Sequence, residues 1–348
     1  MTLQFSHLVQ QLPSLSQHHR LPLYDDASPL QHMLNSSRSM GVQIDVKRDD
    51  LLPLAMGGNK VRQLEFYLGQ AKALGCDTVL ITGAVQSNFV RLCAAAARTQ
   101  GWHPIVQLED RVPNPDPLYS SSGNVLLLKM LGAEIVRFPI GEDEAAADAN
   151  LDNLADNLRD QGKHPYVIHL GLDHPPMGGL GYVAAAIETR LQYLARGVDP
   201  DHIVVASGSG LTHAGFLAGA RAIGWNVNVL GICVRRSANL QYKRIKQRTN
   251  EILKLLGSEA SLVESDINVS DAVLAPGYGQ MNETVSQAIT DAAQRDAILL
   301  DPVYTGRSFA GLIHHVQTSR IKPGDRVCFL HTGGTPGIFA YGDRALSR

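Results

Sequence analysis

Short apolar and β-branched runs alternate with longer amphipathic stretches from about residue 42 to the C-terminus. Apolar positions recur with the period of a strand in the short runs and with that of a helix in the long ones. The predicted strands cover residues 42–47, 78–82, 104–108, 134–138, 166–170, 202–206, 227–233, 298–300 and 326–330. The clearest predicted helices cover residues 61–74, 88–99 and 123–131. This alternation predicts an α/β protein with doubly wound parallel sheets covered by helices.

A chain of 348 residues is long enough for two domains, each with its own core. The acidic, alanine-rich segment 139–164 predicts a solvated outer helix, whereas the glycine- and proline-rich segment 170–182 is the better candidate for a crossing between domains. We therefore expect residues 1–60 plus 173–348 to form a large domain and residues 61–172 to form a small one.

Composition and charge narrow the class of partner. Hydrophobic residues make up 44% of the chain and charged residues 18%, which is typical of a compact globular protein. The formal net charge is -2, and no run of lysine and arginine is dense enough for a nucleic-acid interface. The expected partner is a small molecule.

Cysteine spacing and the N-terminal sequence bear on the compartment. Cys76, Cys93, Cys233 and Cys328 form no CxxC pair, which disfavours a disulfide framework or a zinc site. The N-terminal segment has no signal-peptide pattern, and no apolar run is long enough to span a membrane. We expect a cytoplasmic protein without metal, membrane or nucleic-acid binding.

Four glycine-marked segments fall at predicted strand or helix ends, where ligands gather in α/β proteins. The first, MGGNKVR at 56–62, places Lys60 where a helix begins. The positive end of a helix lowers the pKa of a nearby lysine and favours a neutral amine, which can form a Schiff base. The alternative for an isolated GGNK is an exposed lysine at a helix start.

The second and third segments suggest anion-binding sites. TGAVQSNF at 82–89 offers Ser87 and Asn88 at a helix start, which would suit a carboxylate; the alternative is a simple N-cap. ASGSGLTHAG at 206–215 has small residues and hydroxyls before another helix, and we interpret it as a phosphate site. It has neither the P-loop pattern nor the dinucleotide fingerprint.

The fourth segment is FLHTGGTP at 329–336, with DPVYTG at 301–306 and PGYG at 276–279 upstream. Tyrosines beside glycines can project into a cleft, although half-buried packing is their commoner role. Taken together, the four segments predict a site for a phosphorylated aldehyde and a small amino acid.

These motifs resemble the family of 1-aminocyclopropane-1-carboxylate deaminases and D-cysteine desulfhydrases, which also includes L-cysteate sulfo-lyases. The similarity covers nearly the whole chain in the family's order, through KRDD, GGNK, TGAVQSN, SGN, LGY, ASGSGLTHAG, APGYG, LLDPVYTG and HTGG. The resemblance implies a fold type II (tryptophan synthase β-like) enzyme that uses pyridoxal 5'-phosphate, with the cofactor bound mainly by the large domain. It also implies a homodimer.

The resemblance assigns roles to individual positions. Lys60 matches the Schiff-base lysine that also moves the α-proton, Ser87 the serine near the substrate carboxylate, and Asn88 the asparagine beside the cofactor ring. Tyr278 and Tyr304 match the two active-site tyrosines. The phosphate loop is matched by Ser207, Gly208, Ser209, Gly210, Leu211 and Thr212, and Thr332 matches the hydroxyl that faces the pyridine nitrogen.

Thr305 distinguishes the branches of the family. The ring-opening deaminases carry a glutamate after the tyrosine, whereas threonine at this cofactor-binding position resembles the desulfhydrases and sulfo-lyases. The LDHP sequence at 172–175 resembles a deaminase loop instead. We give Thr305 more weight and expect a carbon–sulfur lyase.

The expected reaction is an α,β-elimination that yields pyruvate, ammonia and the leaving group. The alternatives are an L-cysteate sulfo-lyase, a 1-aminocyclopropane-1-carboxylate deaminase and a non-catalytic pyridoxal phosphate carrier.

Three positions depart from the family pattern. Gln63 replaces a lysine and removes a cation near the phosphate, and Leu211 replaces a glycine of the phosphate loop. Phe89 replaces a polar residue at the edge of the substrate pocket, where we expect it to bind substrate and to influence which substrate is accepted.

Overall fold

A computed structural model of the chain describes residues 4–113, 115–141 and 143–345, without the side chain of Arg344. The strands are β1 Leu30–His32, β2 Gln43–Arg48, β3 Thr78–Ala84, β4 His103–Glu109, β5 Glu134–Phe138, β6 Pro165–Ile168, β7 His202–Ser207, β8 Asn228–Cys233, β9 Asn268–Ser270 and β10 Arg326–His331.

The α-helices cover most of the segments between the strands. They are α1 Phe5–Gln11, α2 Leu34–Met40, α3 Lys60–Ala73, α4 Asn88–Thr99, α5 Gly123–Met130, α6 Glu144–Asp160, α7 Gly179–Ala195, α8 Leu211–Ala222, α9 Ala238–Leu255, α10 Glu283–Asp296, α11 Thr305–Gln317 and α12 Pro336–Tyr341. Short 3-10 helices cover Pro13–Gln17, Asp49–Leu51, Pro117–Ser120, Glu264–Asp266 and Gly342–Ala345.

The strands form two sheets. The larger has the order β1-β2-β10-β7-β8-β9 and is parallel except for β1, which pairs antiparallel with β2. The smaller has the order β5-β4-β3-β6 and is entirely parallel. The predicted α/β fold with two parallel sheets is confirmed. The domain boundaries at residues 60/61 and 172/173 stay a prediction, although all strands of the smaller sheet lie between them.

Most predicted elements match the observed ones. The strand at 134–138 and the helix at 88–99 have the predicted bounds, and the other predicted elements differ by at most two residues at each end, except for the segment at 298–300. That strand prediction is wrong. Ile298 and Leu300 are buried and Leu299 is exposed, but the segment pairs with no neighbouring strand. The three-residue strands β1 and β9 at the edges of the larger sheet were not predicted.

The helix predicted within 139–164 is α6, and Glu142 of that segment lies outside the described residues. All four cysteines are free, and Cys93, Cys233 and Cys328 are buried as expected for apolar runs. Within the described ranges, no helix is long and apolar enough to cross a membrane.

A buried ionic cluster fixes the start of α3 against the larger sheet and α7. The Arg62 guanidinium on α3 donates to Asp49 Oδ1 at 2.8 Å and to Glu188 Oε1 at 2.8 Å. Lys47 of β2 donates to the same Glu188 carboxylate, and the Tyr182 hydroxyl donates to Asp49 Oδ2 at 2.5 Å. Burial alone would raise the pKa of Asp49, but Arg62 holds it below its usual value.

Replacement of Arg62 by methionine should destabilise the protein strongly. The Asp49 and Glu188 carboxylates would lose their shared buried partner, and breaking a buried ion pair in this way typically costs about 3–5 kcal/mol. Chemical denaturation of Arg62→Met measures the change. Arg159→Gln, which removes an exposed ion pair with Asp156, is the control and should cost less than about 1 kcal/mol. Equal unfolding free energies for the two variants would contradict the structural role of the cluster.

Candidate active site

Two adjoining clefts lie where the starts of α3, α4 and α8 meet the carboxyl ends of β3, β7 and β10. The first, which we name the glycine cleft, encloses about 490 Å³. It is lined by Asn59, Lys60, Ser87, Asn88, Phe89, Ala206, Gly208, Ser209, Gly210, Thr212, Tyr304, Thr332 and Gly333.

The second, which we name the arginine cleft, encloses about 560 Å³. It shares six lining residues with the first, and it adds Gly83, Ala84, Arg111, Glu144, Leu170, Arg235 and Tyr278.

Lys60 is the first residue of α3 and lines both clefts. The turn before it needs glycine, because Gly57 has φ +61° and a Cβ there would collide with the backbone of Asp50. The Lys60 Nζ lies 4.9 Å from the centroid of the Phe89 ring. Burial lowers the pKa of Lys60 to about 8. The predicted neutral amine is therefore accessible near physiological pH, although its cause is burial and not the helix terminus.

Gln63 connects the lysine to the loop before α8. Its Oε1 accepts a hydrogen bond from Lys60 Nζ at 3.1 Å, and its Nε2 donates to Thr212 Oγ1 at 2.9 Å. Asn59 Nδ2 also donates to Thr212 Oγ1, at 2.8 Å. Since this hydroxyl accepts from two amides, its own hydrogen is available to a ligand in the glycine cleft.

The loop from Gly208 to Thr212 presents backbone N–H groups to the glycine cleft. Arg244 Nε donates to the Ser209 carbonyl at 2.7 Å, and Arg236 Nη1 donates to the Gly208 carbonyl at 3.1 Å. Because C=O and N–H point in opposite directions across a trans peptide, these contacts turn the following amides away from the arginines. The first amides of α8 also have no partner within the helix. The loop is a donor-rich cradle.

Two predicted members of this loop do not line either cleft. Ser207 is buried, and its Oγ accepts from Gln241 Nε2 at 2.8 Å and lies 3.2 Å from His213 Nδ1. Leu211 is buried at the start of α8. These placements make both residues supports of the loop, and a direct cofactor contact for either one stays a prediction.

The segment with Ser87 and Asn88 was interpreted either as a carboxylate site or as a simple N-cap, and the structure shows features of both. Ser87 is the N-cap of α4, and its Oγ accepts from the Val90 amide at 3.3 Å. Asn88 Oδ1 accepts from Asn124 Nδ2 at 2.9 Å. Both residues nevertheless line the glycine cleft at the positive end of α4. This end of the helix suits a carboxylate.

Phe89 belongs to the core and to the site. The side chain is only 6% exposed, and its ring packs tilted against Tyr67 with centroids 6.2 Å apart. The same residue lines both clefts. It therefore forms an apolar wall beside the Lys60 amine.

The two predicted tyrosines are joined by a hydrogen bond. The Tyr278 and Tyr304 hydroxyls lie 2.7 Å apart, with the rings edge to face. Burial raises the pKa of both phenols, and the contact between them raises that of Tyr304 further. Both are neutral near physiological pH, and one O–H of the pair is available as a proton donor.

The two predicted threonines have different placements. Thr332 follows β10 and lines the glycine cleft, and its carbonyl accepts from the Asn59 amide at 3.0 Å. Thr305 is fully buried and lines neither cleft. Its hydroxyl donates to Asp301 Oδ1 at 2.7 Å. The structure does not bring Thr305 together with the other site residues, and its contact with the cofactor stays a prediction.

Arg111, Glu144 and Arg235 line the arginine cleft but were not predicted from the sequence. Arg111 comes two residues after β4, and Arg235 comes two residues after β8. A charged residue just beyond the carboxyl end of a parallel strand is the signal that could have identified them.

Comparison with known proteins agrees with this geometry. Residues 23–333 match the family model described as "Pyridoxal-phosphate dependent enzyme". The chain belongs to this family.

Among its relatives are two D-cysteine desulfhydrases. That of Klebsiella pneumoniae (strain 342) is 38% identical over 330 residues, covering 95% of this chain and 98% of the relative. That of Serratia proteamaculans (strain 568) is 38% identical over 328 residues, covering 94% and 97%.

A solved structure described as an ACC deaminase homologue superimposes with a TM-score of 0.86 at 33% identity, covering 96% of this chain and 98% of that one. A fungal L-serine ammonia-lyase from Rhizomucor miehei shares the fold, with a TM-score of 0.61 at 18% identity, covering 88% of this chain and 93% of that one. The predicted family, fold type and enzyme class are confirmed, and the cofactor is pyridoxal phosphate.

The glycine cleft of this pyridoxal phosphate-dependent enzyme fits the cofactor. It offers backbone amides and the Thr212 hydroxyl for a phosphate, the Lys60 amine for an aldehyde and the Thr332 hydroxyl for a ring nitrogen. No carboxylate is found among the described residues that line it. The donors therefore match an anionic ligand, and the individual cofactor contacts remain predictions.

The low pKa of Lys60 can be tested in the cofactor-free protein. Because only the neutral amine is nucleophilic, acylation of Lys60 should rise most steeply near pH 8, well below the ordinary lysine value of 10.5. Peptide mass spectrometry at a series of pH values measures this, with the exposed Lys72 on the same helix as reference. A Lys60 labelling profile that follows that of Lys72 would show that burial does not shift its pKa.

Borohydride treatment of the holoenzyme should fix the cofactor to Lys60. The purified protein should be yellow, and Lys60→Ala should lose turnover while retaining some cofactor through the loop of Gly208 to Thr212. Cofactor fixed to any other lysine would contradict the assignment.

Proposed function

We propose that this enzyme catalyses the α,β-elimination of a small β-substituted amino acid, as its D-cysteine desulfhydrase relatives suggest. The products would be pyruvate, ammonia and the leaving group. The observation that carries this proposal is the placement of one buried amine, Lys60, between a carboxylate-binding helix start and a pair of neutral phenols. We also propose a cytoplasmic homodimer, as expected from the resemblance.

The start of α4 would bind the substrate carboxylate. Ser87 and Asn88 line the cleft there, and the positive end of the helix favours an anion. A carboxylate held at this end directs the α-carbon toward Lys60. The apolar ring of Phe89 beside the amine excludes water from the reacting atoms.

Lys60 would move the α-proton. Its pKa of about 8 makes a useful fraction of the amine neutral near pH 7, and Gln63 Oε1 orients the nitrogen. A positioned general base typically contributes about 10²–10⁴-fold to the rate. When bound, pyridoxal phosphate supplies the electron-withdrawing system that stabilises the α-carbanion.

The tyrosine pair would assist the departing group. One hydroxyl of Tyr278 and Tyr304 donates to the other, and the second hydrogen can be donated to the β-substituent as its bond to Cβ breaks. Raised pKa values keep both phenols protonated until that step. A non-catalytic carrier would have no use for this pair.

The ring-opening deaminase is a weaker candidate. At residue 305 the chain offers a hydroxyl bound to Asp301, and no carboxylate projects from there into either cleft. Glu144, which does line the arginine cleft, is engaged by three arginines. Neither group is placed as a free acid or base for opening a cyclopropane ring.

A substrate panel tests the reaction type. We expect pyruvate from at least one of D-cysteine, L-cysteine, L-cysteate and β-chloroalanine, at rates well above the formation of 2-ketobutyrate from 1-aminocyclopropane-1-carboxylate. A coupled keto-acid assay on the holoenzyme, with Lys60→Ala as control, measures both products. Ring opening as fast as the best elimination would overturn the proposal.

Phe89 provides a test of substrate preference. Phe89→His restores a polar partner at the cleft wall, and one hydrogen bond is typically worth about 0.5–1.5 kcal/mol. The kcat/KM for D-cysteine, relative to the best substrate of the wild type, should therefore rise by about 2- to 10-fold.

Phe89→Leu keeps the wall apolar and is the matched control, which should not raise this ratio. An unchanged ratio in a folded Phe89→His protein would mean that Phe89 acts through packing alone.

A further inference from the structure

A buried arginine follows the tyrosine pair along the chain and has no role yet in the proposed elimination. Arg307 lies in the first turn of α11, and its side chain is fully buried. Within the part of the chain that the structure describes, no carboxylate pairs with its guanidinium. Burying a cation without an ion-pair partner is costly unless other acceptors surround it. The acceptors of Arg307 therefore indicate what the residue holds in place.

The guanidinium of Arg307 is surrounded by backbone carbonyls of a single segment, residues 273–280, which contains Tyr278. Nη1 and Nη2 donate to five carbonyls at distances between 2.5 and 3.3 Å, those of Val273, Leu274, Ala275, Gly277 and Gln280. Hydrogen bonds from a charged donor are stronger than neutral ones. Gly277 and Gln280 lie on either side of Tyr278, so the segment curves around the guanidinium and is held near the tyrosine itself.

Side-chain donors matter for this segment because it has no regular structure of its own. Residues 273–280 form neither helix nor strand. Tyr278 stands between Gly277 with φ +145° and Gly279 with φ +67°, values that residues with a side chain rarely adopt. The Tyr341 hydroxyl donates to the Gly279 carbonyl at 2.7 Å. Arg307 and Tyr341 thus fix a segment whose backbone would otherwise be free to turn at two glycines.

The same turn of α11 holds the second tyrosine. Tyr304 is the N-cap residue of α11, and its carbonyl accepts from the Ser308 amide at 2.9 Å. The Tyr304 amide donates to Asp301 Oδ2, also at 2.9 Å. Residues three apart lie on the same side of a helical turn, which puts Arg307 beside Tyr304. One turn therefore anchors Tyr304 through the backbone and Tyr278 through the guanidinium, and the two hydroxyls meet at 2.7 Å.

We propose that Arg307, assisted by Tyr341, is a positioning residue for the protonation of the leaving group. It holds Tyr278 against Tyr304, so that one hydroxyl of the pair faces the departing β-substituent. Arg307 is not among the residues that line either cleft, and it acts only through the tyrosine. This inference rests on the proposed elimination and deepens it by naming a residue that does not touch the reacting atoms.

The proton balance of the step shows what the positioning achieves. With a β-thio substrate, the Cα–H proton goes to the Lys60 amine, and the Cβ–S bond breaks with its electron pair leaving on sulfur. The phenolic proton passes to that sulfur, which departs as hydrogen sulfide or as a neutral thiol. Water then returns a proton to the phenolate, and Lys60 releases its own proton to water. The transfer requires a hydroxyl at hydrogen-bond distance from sulfur, and a misplacement of about 1 Å can cost about 10²-fold in rate.

The test compares leaving groups that gain from a proton with one that does not. Chloride leaves β-chloroalanine without a proton, whereas a departing sulfur is basic and is assisted by one. Arg307→Lys keeps the charge but loses the planar fork that reaches carbonyls on both sides of Tyr278. In this holoenzyme variant, kcat for cysteine or S-methylcysteine, relative to kcat for β-chloroalanine, should fall by about 10- to 100-fold. Pyruvate is measured for both enantiomers of each substrate, and the exposed Arg159→Gln is the control that should leave the ratio unchanged.

A double-mutant cycle separates positioning from a general loss of structure. Tyr278→Phe should lower the same ratio, because the pair loses one hydroxyl. Arg307→Lys added to Tyr278→Phe should lower it by less than about 2-fold more, since the group that Arg307 positions is already gone. An equal further loss in the double variant would overturn the positioning role. Tyr341→Phe removes one hydrogen bond from the same segment, should lower the ratio by a smaller factor, and keeps the test decisive if Arg307→Lys fails to fold.

A second measurement needs no turnover. In holoenzyme with isotope-labelled tyrosine Cζ atoms, the NMR signals of Tyr278 and Tyr304 report the hydrogen bond between their hydroxyls. Both signals should shift in Arg307→Lys and, by less, in Tyr341→Phe. The Tyr193 signal should not shift, because that hydroxyl contacts β2 instead. A guanidinium that served only overall stability would leave the Tyr278 and Tyr304 signals in place when it is replaced.

The outcomes separate the two proposals. Turnover of a β-thio substrate, with a ratio that the folded Arg307→Lys and Tyr341→Phe variants do not change, would overturn the positioning role and leave the elimination standing. Failure of every β-substituted alanine to yield pyruvate would overturn the elimination. In that case, or when only β-chloroalanine reacts, the Tyr278 signal decides. A shifted signal supports the positioning role, and an unshifted one overturns it.

Discussion

The Lys60 amine is removed from water and must still be able to lose its proton, and this requirement limits which side chains can surround it. Burial acts on the amines of both Lys47 and Lys60, but the partners of the two amines differ in charge. Burial lowers the pKa of Lys47, but its contact with the Glu188 carboxylate opposes that shift and favours the charged form. Lys60 meets only the Gln63 amide and the Phe89 ring, and burial then lowers its pKa to about 8. A carboxylate in place of Gln63 would hold the proton on the amine and remove the base.

The position of that amine is secured by residues that never touch a ligand. Arg62 follows Lys60 by two residues and binds Asp49 and Glu188 on other elements, which fixes the first turn of α3. The glycine turn before Lys60 then lets the chain pass close to Asp50. On the opposite side, Arg244 ties back the loop before α8 through the Ser209 carbonyl. The contacts of Arg62 thus hold α3 on one side of the site, and the contact of Arg244 holds the loop before α8 on the other. The geometry of the site depends on both.

Local sequence patterns were sufficient to predict most of the residues that line the glycine cleft. Lys60, Ser87 and the loop of Gly208 to Thr212 follow strand or helix ends within a few residues, where turn chemistry and helix termini are local properties. The failed strand at 298–300 has the alternating burial of a strand, but a strand also needs a neighbour, which local pattern does not reveal. The arginine cleft escaped detection because it joins residues that follow strands of two different sheets.

Thr305 shows a different limit. A role assigned from the resemblance assumes that the Thr305 side chain points into the site. Instead, the Asp301 carboxylate accepts a hydrogen bond from the Thr305 hydroxyl, and it also accepts from the backbone amides of residues 303 to 305. This local hydrogen bonding competes with any contact in the cleft. A glutamate in place of Thr305 would put a second carboxylate beside Asp301 in this buried turn, so the local hydrogen bonding would have to change with the residue.

The polarity of the cleft changes along its length, and this order matters for the reaction. The start of α4 offers neutral donors, the middle has the apolar Phe89 ring beside the Lys60 amine, and the far end has guanidinium groups, a carboxylate and phenols. The lowered pKa of Lys60 thus makes the neutral base available where the α-proton is removed, and the charged side chains lie farther along the cleft. The phenols lie on the side of Lys60 where a β-substituent would depart, and an O–H donor there can stabilise the negative charge that accumulates on the leaving group.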